Sequence, residues 1–269
     1  MLSTEYSLGF TRTTACVPEV NFMNKISELH SHIGKMKSVD VREFGPSLIV
    51  APHPDDETLG CGGTAALLRR IGIPVYFLFV SDGTMSHPNS LEYPALRLMK
   101  VREEEAKQAV VTLGGDMKHI KFLRLKDTQV PNEEDNLFIE TVQDIVKLMN
   151  KIKPETVFVP WEKDPHRDHQ ATWKIMAEAM KHVQDKPRFL EYPIWLWELG
   201  NPEDLELIDR MQKFTVDIEE TLDIKNKALA AHVSQVTSMI TDDPQGFMLT
   251  PEVIAHFDIP RELFFESVH

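Results

Sequence analysis

Short apolar runs alternate with helical patterns along most of this chain. The first four runs are "SLIVA", "PVYFLFV", "IKFLRL" and "TVFVPW". They are followed in turn by "GTAALLRRIG" before the second run, then "LRLMKVREEEAKQAVVTLGG", "NLFIETVQDIVKLMNKIKP" and "DHQATWKIMAEAMKHV". A strand that is apolar along its whole length has no solvent face, so it belongs inside a sheet covered on both sides. Strands alternating with helices predict an α/β fold, Rossmann-like, with a mostly parallel sheet between two helical layers. "RFLEYPIWLWE" reads as a further strand, and "KFTVDI" with "TLDIKNKALAAHVSQVTSMI" as one more strand and helix. With 269 residues, 42% of them hydrophobic, the chain can bury a substantial core. Residues 46–269 are read as a single α/β domain with a helical and extended tail. Residues 1–45 are read as an N-terminal extension, in which Phe22, Ile26, Leu29 and Ile33 predict one amphipathic helix over 21–37.

Open α/β sheets bind ligands beyond the carboxyl ends of their strands. If this chain is an enzyme, its chemical residues should leave more than one strand. Two segments meet that demand: His53-Pro54-Asp55-Asp56-Glu57 after "SLIVA", and Asp164-Pro165-His166-Arg167-Asp168-His169 after "TVFVPW". Imidazole nitrogen and carboxylate oxygen suit a divalent transition metal, zinc above all, and a catalytic zinc keeps three protein ligands and an open position. His53 and Asp56 lie three apart, so one tight turn can aim both at one point. His166 and His169 lie three apart at the expected start of a helix. If Asp56 binds the metal, Asp55 is left beside the metal-bound water as general base. If His169 is the third ligand, His166, held as imidazolium, can stabilise an oxyanion and protonate a leaving amine. Asp168 is then a candidate to orient one of these histidines.

"APHPDDETLGCGG" followed by "PHRDHQAT" resembles the LmbE-like, or PIG-L, family of zinc-dependent N-deacetylases. "SDG" after the second strand, "VREEEAKQAVVTLG" and "KALAAHVSQ" extend the resemblance over roughly residues 46–240. It implies the LmbE-like fold and removal of acetyl groups from N-acetylglucosamine-type sugars. It also implies His53, Asp56 and His169 as zinc ligands, Asp55 as base, His166 as oxyanion-stabilising acid and Asp168 as its orienting partner. Residues 1–45 and the tail "LTPEVIAHFDIPRELFFESVH" depart from the family pattern and bear on the substrate, not on the metal chemistry.

Blander readings stand beside these. The paired aspartates could cap the next helix. Gly60, Gly62 and Gly63 form GCGG and not G-x-G-x-x-G, so they read as a tight turn and close helix packing. Cys61 reads as a small buried residue, and Glu57 as a structural hydrogen-bonding group in the motif turn. Asp82, Arg102 and His232 are candidate substrate contacts. Against that, Asp82 reads as a turn former, Arg102 as pairing with Glu103–Glu105 on the helix surface, and His232 as packed. The aromatic run "EYPIWLWE" reads as a core strand in preference to a sugar platform.

The formal net charge of −13 argues against nucleic acid and anionic membranes as partners. Cys16 and Cys61 form no disulfide framework or cysteine metal cluster, so a reducing cytoplasm is expected. "MLSTEYSLGFTRTTACVPEV" has no secretory apolar core, and no run approaches the about 20 apolar residues of a membrane span. The expected partner is a small amino-sugar substrate, with a homo-oligomer open to the N-terminal helix. The expected function is metal-dependent release of acetate from an N-acetylated amino sugar. The alternatives are a metal-dependent hydrolase of another amide or a phosphate ester, and a sugar- or nucleotide-binding protein without turnover.

Overall fold

In the structure, a computed structural model, residue 33 and residues 35–266 are described. Most of the helix expected over 21–37 lies outside these residues. Seven strands form one sheet: β1 (Ser47–Ala51), β2 (Val75–Ser81), β3 (Ile120–Leu125), β4 (Thr156–Pro160), β5 (Arg188–Tyr192), β6 (Gln212–Asp217) and β7 (Arg261–Glu266). Their order is β3-β2-β1-β4-β5-β7-β6. β1 to β5 are parallel, and β7 is antiparallel to both β5 and β6. Ser47 pairs with both Val75 and Thr156, so β1 is central and its exit lies beside that of β4. The chain winds outward from β1 through β2 to β3, then returns to β4 on the other side. The switch point therefore falls between the two strands that precede the His/Asp segments.

Helices cover both faces. On one are α1 (Asp56–Arg70), α2 (Ala95–Thr112), α7 (Leu222–Leu229) and α8 (Val233–Val236). On the other are α3 (Asn136–Ile152) and α4 (Arg167–Met180). Alternate strand residues divide accordingly: Ile49, Phe77 and Phe79 pack towards α1 and α2, and Leu48, Val50, Val157 and Val159 towards α3 and α4. Among the described residues there are also the short helices α5 (Leu196–Leu199), α6 (Pro202–Arg210) and α9 (Pro251–Ala255). Among the described residues, no helix is long and apolar enough to cross a membrane.

α1 is buried on nearly all sides, and its glycines make that packing feasible. A Cβ at Gly60 would lie 2.3 Å from the Tyr192 ring, and one at Gly63 2.5 Å from Ile218. The packing reading of the glycine cluster therefore holds. Glu262 of β7 accepts the N–H groups of Gly63 and Thr64, each at 2.8 Å, and pairs with buried Lys225 at 2.8 Å. Phe44 is fully buried and meets Phe158 edge-on, with ring centroids 5.3 Å apart.

Two expectations are corrected, and the helical and extended tail finds its place. "RFLEYPIWLWE" is strand only to Tyr192, because Asp164 captures the N–H groups of Ile194 and Trp195 and turns the chain into α5. "TLDIKNKALAAHVSQVTSMI" breaks at His232, between α7 and α8, where the Glu105 carboxylate takes the Ser234 N–H at 2.8 Å. The tail contributes β7, which inserts between β5 and β6 and ends the parallel pattern.

Candidate active site

β1 delivers His53 to the sheet edge, and a tight turn brings Asp56 back to it. The His53 N–H donates to Asp56 Oδ2 at 2.9 Å, and His53 Nδ1 lies 3.3 Å from the same oxygen. From the first turn of α4, His169 Nε2 comes within 3.2 Å of that oxygen too. One carboxylate oxygen thus sits between two imidazole nitrogens from neighbouring strands. The His166 ring completes the cluster, 4.8 Å from His53 and 5.0 Å from His169 between centroids.

The donor set fits a divalent metal. His53, His166 and His169 offer ligand atoms within 4.8 Å of one another, as do His53, Asp127 and Asp168. Both ring nitrogens of fully buried His169 lie close to carboxylates, yet neither makes an aligned hydrogen bond. Leaving such groups unsatisfied is costly, and a cation beside Nε2 would resolve it.

Burial opposes ionisation of Asp56, but the charges and bonds of His169 and His53 overcome it and hold the carboxyl well below its usual range. Against burial, Asp56 and Asp164 raise His169 to about 9, and Asp127, with Asp168 and Asp56, raises His53 well above the ordinary value.

Asp55 differs from its neighbour in every respect. Its φ of 153° lies in the region that side-chain-bearing residues rarely adopt, and its carboxylate makes no helix cap. The capping reading therefore fails for Asp55. Burial raises its pKa to about 6, the Arg102 charge opposing and the Asp56 charge adding to the rise. Its N–H donates to Glu57 Oε2 at 3.0 Å, and Glu57 Oε1 meets fully buried His232 Nε2 at 3.0 Å. Glu57 has the structural role expected, and His232 stands behind it.

Arg102 does not pair along its helix. It is buried, donating to Gly83 O and Pro54 O at 2.8 Å each and to Asp55 Oδ2 at 3.1 Å. Gly83, at φ 65°, is required there, since a Cβ would lie 2.8 Å from the guanidinium. Glu103 is taken by Arg124, and Glu105 by Ser234. Asp82 Oδ1 accepts from Thr84 N at 3.1 Å and Oγ1 at 2.8 Å, and from Asp127 N at 3.2 Å, so it builds the turn after β2.

Two further expectations are corrected. The Asp168 carboxylate faces His53 Nε2 at 3.3 Å and accepts the Thr128 N–H at 2.7 Å; only its backbone N–H reaches His166, at Nδ1. In the metal-free protein His166 is not an imidazolium: burial, then the His53 and His169 charges, lower its pKa to about 3. With Nδ1 accepting, the proton of the neutral ring falls on Nε2.

Sequence reasoning gave no role to Asp127 and Asp164. Asp127 Oδ1 lies 3.3 Å from His53 Nε2, and its other oxygen accepts the Met85 N–H at 2.8 Å. Asp164 Oδ1 lies 3.2 Å from His169 Nδ1 and accepts the His166 N–H at 3.1 Å. Both follow apolar strands, which was the signal available for them.

The fold and site define an α/β protein with a His/Asp cluster, able to hold a metal ion, at the switch point of a doubly wound sheet. Comparison with known proteins places it more closely. The family described as PIG-L, GlcNAc-PI de-N-acetylase, matches residues 48–180. The chain is 28% identical over 201 residues to the probable N-acetyl-alpha-D-glucosaminyl L-malate deacetylase 2 of Bacillus subtilis (strain 168), covering 72% of this chain and 85% of that one. It is 28% identical over 222 residues to the diacetylchitobiose deacetylase of Thermococcus kodakarensis, covering 80% and 79%. The N,N'-diacetylchitobiose deacetylase structure from Pyrococcus horikoshii, in complex with its inhibitor MPG, shares the fold with a TM-score of 0.64 at 21% identity, covering 94% of both chains. Residues 48–180 carry the domain of the PIG-L, or LmbE-like, family. The two relatives named here are deacetylases, hydrolases of an amide C–N bond.

Proposed function

We propose that this chain removes the acetyl group from an N-acetylglucosamine-type amino sugar, giving acetate and a free amine. The observation that carries this reading is the unlike setting of two adjacent carboxylates. Asp56 Oδ2 lies between His53 Nδ1 and His169 Nε2, while Asp55 is buried, paired with Arg102 and raised to about 6. A carboxylate near that value suits proton transfer near neutral pH. The family match, with relatives named as deacetylases of N-acetylated sugars, supports the same substrate class.

His53, Asp56 and His169 would hold a divalent cation, zinc by their donor chemistry. When bound, that ion supplies Lewis acidity to the acetyl carbonyl and to the attacking water. Asp55 takes the proton of that water as it attacks. His166 donates its Nε2–H to the developing oxyanion, and the proton gained by Asp55 passes to the departing nitrogen. Asp127 and Asp168 hold His53 at Nε2, and Asp164 holds His169 at Nδ1.

Acetate release from N-acetylglucosamine conjugates, with metal content measured on the same sample, tests the reading. Asp55→Ala should keep the metal and lose most turnover, whereas His169→Ala should lose the metal. Full activity in the first variant, or unchanged metal content in the second, would remove the corresponding role.

A further inference from the structure

Three apolar residues, Met85, Trp195 and Phe247, sit on loops tied by hydrogen bonds and a ring contact to the carboxylates around the cluster. Asp164 Oδ2 receives the N–H of Trp195 at 2.9 Å, which fixes Trp195 at the exit of β5. The Trp195 ring meets Phe247 edge-on at 5.8 Å. The Phe247 N–H donates to Ser86 O at 2.6 Å, in the loop after β2. Beside Ser86, the Met85 N–H donates to Asp127, the carboxylate that meets His53. These contacts run from the exit of β5 to the exit of β2. Between those strands lie β4 and β1, whose exits carry His169, His166 and His53. The loops that carry Met85, Trp195 and Phe247 therefore meet at the same sheet edge as the cluster.

The wall made by these three residues is only partly core: Trp195 packs against the main apolar cluster, and the other two side chains face water. Met85 is 39% exposed and Phe247 36%, with Trp195 half-buried. Water-facing apolar groups continuous with a buried polar cluster mark a ligand contact. Charge narrows the ligand. The segments that carry the wall, residues 82–96, 193–199 and 241–250, contain no Lys or Arg, and they hold Asp82, Glu92, Glu198, Asp242 and Asp243. His87, in the first segment, is lowered by burial and adds no cation. Lys126 and Arg167, both exposed, belong instead to the loop after β3 and to α4.

We propose that Met85, Trp195 and Phe247 form the subsite for the group attached to the amino sugar, and that this group is neutral with an apolar face. The C–H face of a second sugar ring and an aryl group share that chemistry. A carboxylate or phosphate on the aglycone finds no Lys or Arg on these three segments to pair with and is disfavoured. The inference rests on the deacetylase reading and adds to it the class of substrate.

Acetate release by the metal-loaded protein should be compared across free N-acetylglucosamine, its neutral disaccharide, its phenyl glycoside and its malate glycoside. Both neutral glycosides should exceed the malate glycoside in kcat/KM by about tenfold or more, and whichever of the two is faster names the source. Trp195→Ala and Phe247→Ala should each reduce kcat/KM for the neutral glycosides about tenfold more than for the free sugar, chiefly through KM. Should Trp195→Ala fail to fold, Phe247→Ala decides, since its ring is partly exposed. Equal rates for the malate glycoside, or equal losses for glycoside and free sugar, would overturn the subsite. If no compound releases acetate, the deacetylase reading fails by itself. Calorimetric binding of the phenyl and malate glycosides then decides the wall separately: tighter phenyl binding supports it, and equal or tighter malate binding overturns it.

Discussion

Arg102 of α2 and Asp55 of the β1–α1 turn, 47 residues apart, form a buried ion pair at 3.1 Å beside the histidine cluster. The guanidinium is anchored on two backbone carbonyls, so it holds the carboxylate in one place as well as lowering its pKa. Replacing it with Met removes the influence that offsets burial, so the Asp55 pKa moves up from about 6. A base is active when deprotonated, and the acid limb of the pH–rate profile should move to higher pH in Arg102→Met. Arg102→Lys keeps the charge and should move it less. Stability should fall by about 3–5 kcal/mol in the Met variant, because one partner of a buried pair is stranded. A pH–rate profile and urea titration of both variants check this; an unmoved limb would mean that Arg102 only packs.

Metal uptake should release protons. Without metal, pairing with Asp56 and Asp164 raises His169 to about 9, and His53 is raised as well, so both rings carry protons at neutral pH. A metal ligand must be a neutral imidazole, so loading at pH 7 should expel about two protons and affinity should rise with pH. The raised His169 pKa also stabilises the metal-free fold. That contribution is fully present below 6.5 and is lost as pH rises through about 9. The metal-free protein should therefore lose Tm across this interval, and the loaded protein should not lose this contribution. Calorimetry of metal binding in buffers of different ionisation enthalpy counts the protons. A count of zero would exclude His53 and His169 as ligands.

Asp164→Asn should weaken metal binding without removing a ligand. Asp164 Oδ1 sits 3.2 Å from His169 Nδ1, and a carboxylate there fixes the ring and raises the basicity of Nε2. An amide does this poorly, and the expected loss is about 10–100-fold in metal affinity. Competition against a chelating dye measures it. Affinity equal to that of the parent would reduce Asp164 to its other task, turning the chain after β5 through Ile194 and Trp195.

The parts of this molecule legible in the sequence are those governed by neighbours along the chain. Leu48, Ile49 and Val50 are all fully buried, so the body of β1 had to be apolar, and the same holds for Val157, Phe158 and Val159 of β4. His53 with Asp56, and the start of α4, follow from spacing within one turn. What escaped notice depends on partners far away. Arg102 reads as a helix-surface residue until Asp55 is known to lie under it. Asp127 sits 74 positions from His53 and belongs to no local pattern. The breaks at Trp195 and His232 arise because Asp164 and Glu105 capture backbone N–H groups that a continuing element would have used. β7 was missed because antiparallel insertion between β5 and β6 is decided by the sheet edge, not by "RELFFE" itself.

The buried pair of Lys225 and Glu262 should respond unequally to loss of either partner. Glu262 receives the Gly63 and Thr64 N–H groups as well as Lys225, and all of these groups are buried. Lys225→Met leaves the carboxylate with two backbone donors, and the cost should be about 1.5–3 kcal/mol, that of one charged hydrogen bond. Glu262→Ala strands a buried ammonium and two amides together, so it should cost at least about 3–5 kcal/mol. The pair ties α7 and β7 to α1, and both variants should loosen the tail strand. Urea unfolding gives the two free energies, and hydrogen exchange at residues 261–266 gives the local effect. Equal costs would show that the backbone amides contribute little and that the ion pair alone holds β7 against α1.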